Sequence, residues 1–107
     1  MPWAPLLGEP EIARELERLP GWTRDGDAIV RTVRSATFRE AIALVVRVAD
    51  AAESADHHPD MLIRWRRVTF TLSTHASGGL TAKDFALAAE IDRLAAEPRV
   101  ESAPHEP

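Results

Sequence analysis

The chain contains no cysteine, which removes disulfides as a means of stabilising a small fold and removes thiolates from any metal site. It has no surplus of positive charge. Thirteen Lys and Arg face seventeen Asp and Glu, for a formal net charge of -4, which argues against a nucleic-acid backbone as the main ligand. The one basic cluster, Arg64, Arg66 and Arg67, reads as a solvated hairpin turn. The first residues, Met1-Pro2-Trp3-Ala4-Pro5-Leu6-Leu7-Gly8, carry neither a basic leader nor a long apolar run, and no later segment reaches the length of a membrane span. The expectation is a cytoplasmic protein with no membrane partner. Internal repeats and low-complexity tracts are also missing. What is present is 107 residues, 45% hydrophobic and 28% charged, the make-up of one soluble domain. So short a chain buries a modest fraction of its surface, so a homo-oligomer, dimer or tetramer, is the natural supplement.

Periodicity divides the chain into seven elements. Residues 10–19 place Ile12, Ala13, Leu16 and Leu19 at helical spacing, with Pro10 suited to the first turn and Pro20-Gly21 as a stop. Residues 22–24 and 28–34 flank Asp25-Gly26, a good two-residue turn between antiparallel strands. Over residues 37–55, Phe38, Ala41, Ile42, Val45, Val48, Ala49 and Ala52 recur in steps of three and four, which predicts the longest helix. Leu44 and Val46 widen its apolar arc and suggest a second contact surface. Pro59 disfavours helix at His58, so this helix ends at or before the His57-His58 pair. Residues 61–64 and 67–74 read as strands joined near Trp65-Arg66. In the second, Val68, Phe70 and Leu72 alternate with Thr69, Thr71, Ser73 and His75, so His75 is expected on its polar face. Thr81-Ala82-Lys83-Asp84 has the form of a capping box, with Leu80 and Phe85 as its hydrophobic staple, opening a helix that stops by Pro98.

The order helix, strand, strand, helix, strand, strand, helix predicts an α+β fold, a four-stranded antiparallel sheet with three helices packed on one face. Residues 1–97 form the single domain, and the polar, proline-bearing residues 98–107 are expected to be a poorly ordered tail.

Three of the four histidines, His57, His58 and His75, fall between residues 53 and 84. Imidazole moves protons near neutral pH, so a corner pair and a strand-end histidine converging on one pocket suggest acid-base chemistry, against the plainer reading of a solvated corner. Three imidazoles also fit zinc, but His57 and His58 diverge as neighbours and no fourth ligand is evident, so no metal is expected. Glu53, one turn before His57, is either solvated or orients an imidazole. Asp84 has a structural role in the capping box and is free to have a second one. Lys83 reads as a solvated residue of the first turn, and Trp65 as core or as a wall for a flat ring.

Taken together, Glu53-x-x-x-His57-His58-Pro59, an aromatic at Trp65, Val68-x-Phe70-x-Leu72-Ser73-Thr74-His75 and Gly79-Leu80-Thr81-x-x-Asp84 closely resemble the pterin-4a-carbinolamine dehydratases. The likeness spans nearly the whole chain, with Met61 and Trp65 standing where many members have tryptophan and tyrosine. It implies dehydration of 4a-hydroxytetrahydropterin to quinonoid dihydropterin without metal or organic cofactor, in tetrahydropterin recycling linked to an aromatic amino-acid hydroxylase. By position it implies His57, His58 and His75 as the active-site histidines, and Glu53, Asp56, Pro59, Thr74, Lys83 and Asp84 as residues about the pterin. The family also includes binding modules, a dimerisation partner of a homeodomain transcription factor and Rubisco assembly factors. Retention of all three histidines favours the enzyme.

Overall fold

In the computed structural model, which describes residues 3–97, helix α1 (Glu9–Glu17) precedes strands β1 (Thr23–Asp25) and β2 (Ala28–Arg34). Helix α2 (Phe38–Ala55), strands β3 (Asp60–Arg64) and β4 (Arg67–Leu72) and helix α3 (Ala82–Ala96) follow. The strands form one open antiparallel sheet in the order β1-β2-β4-β3. The α+β architecture and its element order are those the sequence predicts. The proline-bearing tail expected at 98–107 lies outside the described residues.

Period-two alternation decides which side of the sheet is covered. The register pairs Ile29 with Leu72 and Val33 with Val68, and all four, with Phe70, are buried. The same cluster takes in Leu44 and Val48 from α2 and Phe85, Ala88 and Ile91 from α3. On the opposite face Thr32 and Thr69 join hydroxyls at 2.7 Å. Arg31 reaches from the core side to Asp92 of α3, which also accepts the Trp22 indole N–H at 2.8 Å, so the polar end of a buried Trp22 is satisfied. An exposed ion pair from Arg24 to Glu9 ties α1 to β1 and holds the Glu9 carboxyl below the usual carboxylate range, chiefly through the side-chain hydrogen bond.

Five expectations need correction. The first hairpin turns on Gly26-Asp27 rather than Asp25-Gly26, because Asp25 pairs with Ala28 and Gly26 takes the left-handed φ of 61°, a conformation open to glycine at little cost. Trp22 lies ahead of β1, not in it. In α2 the core stripe is Ala41, Leu44, Val48 and Ala52, so Leu44 belongs to the core and not to a second surface. Phe38 instead sits beside Ile42 and Val45 on a neighbouring stripe, and at the first turn it stands exposed, as does Val46. Trp65 is not core. It takes a left-handed φ of 55° in the β3-β4 turn, two-thirds exposed, with the Arg66 guanidinium 4.4 Å from its ring centre.

Candidate active site

Three chain segments meet at one end of the sheet, and each is shaped by its local sequence. The first is the end of α2. Asp56 adopts the left-handed conformation, the His57 N–H donates to the Ala52 carbonyl at 3.1 Å and the Asp56 N–H to Glu53 at 3.2 Å. This pair of bonds closes a helix and reverses its chain, and Pro59 prevents its continuation. The reversal sends the two neighbouring histidines in different directions. His57 turns inward and is 1% exposed. His58 turns outward, half exposed, where its Nε2 lies 2.6 Å from Glu53 on the last helical turn.

The second segment follows β4. Counting by twos from Val68 through Phe70 and Leu72 brings Thr74 to the core side, where it is fully buried. The expectation for His75 is corrected here. The ladder ends at Leu72, Thr74 and Gly79 form an isolated bridge, and His75–Ser77 make a single 3-10 turn. The Thr74 carbonyl accepts the N–H groups of Ser77 at 3.0 Å and Gly78 at 2.9 Å, and Gly78 closes the turn with φ of 78°. Carbonyl capture by that turn ends the alternation, so His75 stands exposed on a tight loop rather than on a strand face. Ser77 bonds both backbone groups of Ala4, tying the loop to the N-terminal segment.

The third segment is the start of α3. Thr81 is the N-cap and accepts the Lys83 N–H at 3.2 Å, while Asp84 accepts the Thr81 N–H at 2.9 Å. Leu80 and Phe85 are both buried in the core, as a hydrophobic staple requires. Asp84 does more than cap. Its Oδ2 also accepts the Thr74 hydroxyl at 2.9 Å, and its Oδ1 lies 2.7 Å from His57 Nε2. A fully buried carboxylate therefore has contacts on both oxygens and joins all three segments.

Of the residues singled out from sequence, His57, Thr74 and Asp84 lie in one buried network, and His58 and Glu53 form a separate exposed pair. His75 follows Thr74 directly. Asp56 is exposed and turns the chain, Pro59 is half-buried, and Lys83 is half-buried with its backbone engaged in the cap. Thr81 was not among the candidate residues, yet its hydroxyl lies 2.7 Å from that of Thr74. Its position three residues before Asp84 was the available signal. Among the described residues no three His, Cys, Asp or Glu gather as a metal site. A groove between α1 and α3, lined by Leu7, Leu19 and Phe85 among others, holds none of the histidines.

Such a network can hold an imidazole in one orientation while leaving two other imidazoles open to solvent, an arrangement suited to proton transfer. The comparisons with known proteins agree in family. The Pterin 4 alpha carbinolamine dehydratase family matches residues 5–94. A Nocardia farcinica protein named "Putative pterin-4-alpha-carbinolamine dehydratase" is 62% identical over 84% of this chain and 95% of its own length. A Roseiflexus castenholzii protein of the same name is 56% identical over 85% of this chain and 98% of its own. Among solved structures, a transcriptional coactivator/pterin dehydratase from Brucella melitensis superposes with a TM-score of 0.81 at 33% identity, covering 83% of this chain and 97% of that one. The chain belongs to the pterin-4a-carbinolamine dehydratase family. A pterin dehydratase-like RuBisCO assembly factor of the alpha-carboxysome shares the fold, with a TM-score of 0.60 at 19% identity over 72% of this chain and 89% of that one.

No helix among the described residues is long and apolar enough to cross a membrane.

Proposed function

We propose that the protein dehydrates a 4a-hydroxytetrahydropterin to the quinonoid dihydropterin, with His57, His58 and His75 supplying the acid and base. One proton must reach the departing 4a oxygen and one must leave the adjacent ring nitrogen. The electron pair of that N–H bond becomes the new carbon-nitrogen double bond as the carbon-oxygen bond breaks, so no redox partner is needed. The observation that carries this reading is the Asp84 carboxylate bridging His57 and Thr74, a buried acid holding one imidazole beside two exposed ones. Glu53, in contact with His58, fixes the orientation of that ring. Asp56, Pro59 and Lys83 lie within three residues of the histidines or Asp84 in the chain and are the residues we assign to the pterin. The test is whether purified protein accelerates loss of the carbinolamine in proportion to its concentration.

A second reading, a binding module, draws support from the two structural relatives, one named a transcriptional coactivator and the other an assembly factor. Exposed Phe38 and Val46 on α2 and Leu62 and Ile63 on the edge strand β3 also offer apolar surface and an unpaired strand edge. We assign that surface to a homo-oligomer, dimer before tetramer. Light scattering at micromolar concentration should give a multiple of 11.8 kDa, and a clean monomer would reject the assignment.

A further inference from the structure

The hydroxyl protons beneath the histidine corner can be counted. Asp84 Oδ2 accepts from the Thr81 N–H and from the Thr74 hydroxyl, each at 2.9 Å. Thr74 has one hydroxyl proton, and it is committed to the carboxylate. In the 2.7 Å contact between Thr74 and Thr81, Thr81 must then be the donor. The Thr81 oxygen in turn accepts the Lys83 N–H at 3.2 Å. The chain of bonds thus runs one way, from the first turn of α3 through Thr81 and Thr74 to Asp84. With both contacts of Oδ2 coming from donors, the group is read as a carboxylate, which only accepts, so Oδ1 accepts as well. The nitrogen 2.7 Å from it, His57 Nε2, is then the one that carries the proton. A neutral imidazole has only one. Nδ1 is left with a bare lone pair, and it is buried with no hydrogen-bond partner among the described residues.

We propose that Thr81 is a positioning residue that acts through Thr74 and Asp84 to hold His57 as the Nε2-protonated tautomer, leaving Nδ1 as its unpaired proton acceptor. Resting on the dehydratase reading, this makes Nδ1 the atom that takes the ring-nitrogen proton. The N–H bond of the pterin breaks and the Nδ1–H bond forms. The resulting imidazolium is stabilised by the Asp84 carboxylate on its far side. An exposed histidine, His58 or His75, gives its proton to the departing hydroxide, which leaves as water.

The tautomer can be read without substrate, from the ring-nitrogen chemical shifts of uniformly nitrogen-15-labelled, full-length protein above the histidine titration range. His57 should show a protonated Nε2 and an unprotonated Nδ1. Thr81→Val, which removes the donor, should mix the two tautomers and lower background-corrected turnover about tenfold, the factor equivalent to one ordinary hydrogen bond. Thr81→Ser should restore the wild-type ring spectrum. Wild-type protein protonated at Nδ1, or folded Thr81→Val with unchanged His57 shifts, would overturn the proposal. Because the wild-type spectrum is itself decisive, poor folding of the valine variant would not shield the idea. The expected tautomer in a protein without dehydratase activity would support the lock and overturn the role of Nδ1 as base, along with the dehydratase reading.

Discussion

Alanine at His58 or at His75 should lower turnover of a 4a-hydroxytetrahydropterin by about 10² to 10⁴, the usual loss when a positioned acid or base is removed, while leaving the fold intact. His58 has a side chain that is half exposed, and its one partner, Glu53, is more exposed still. His75 sits on an exposed 3-10 turn. Neither supports the core, so circular dichroism and denaturation midpoints should match wild type. Spontaneous dehydration of an activated carbinolamine is appreciable, and rates must be corrected for it. Wild-type turnover in both corrected variants between about pH 6 and 8, the range in which imidazole changes charge, would remove the exposed histidines from the chemistry. The binding-module reading would then move ahead.

A larger effect on stability is expected at Asp84. Alanine there would strand three donors at once, His57 Nε2–H, the Thr74 hydroxyl and the Thr81 N–H, all on residues no more than 1% exposed. Each buried donor left unsatisfied costs about 1 to 3 kcal/mol, so three together cost several times the ordinary loss of a helix cap, about 1 kcal/mol. Urea denaturation decides between them. A change near 1 kcal/mol would mean that Asp84 is only a cap residue and that the three segments are held together by something else.

That distinction marks what the sequence could and could not convey. The capping box at Thr81-x-x-Asp84 and the end of α2 before Pro59 were legible because each depends on neighbours within four residues. The element order followed from periodicity for the same reason. A second role for Asp84 was open from the sequence, but not the identity of its partners, since His57 is 27 residues and Thr74 10 residues away in the chain. The alternation of β4 carried the prediction for His75 past the point where the ladder ends. Nothing local signalled that the Thr74 carbonyl would capture Ser77 and Gly78. Yet the same alternation correctly implies a core-side Thr74, which is why its hydroxyl meets Asp84. Phe38 shows the opposite failure. Its spacing fits α2, but the core stripe lies one position round the helix, and only the packing of the sheet selects between adjacent stripes.

The most direct test of the central claim is a rapid-mixing assay of 4a-hydroxytetrahydropterin generated in place, with wild-type protein at substoichiometric concentration. Formation of quinonoid dihydropterin is followed against the spontaneous rate. The account predicts many turnovers per chain, with an initial rate proportional to protein. A rate indistinguishable from the spontaneous one, from folded protein with the His57-Asp84 contact intact, would contradict it.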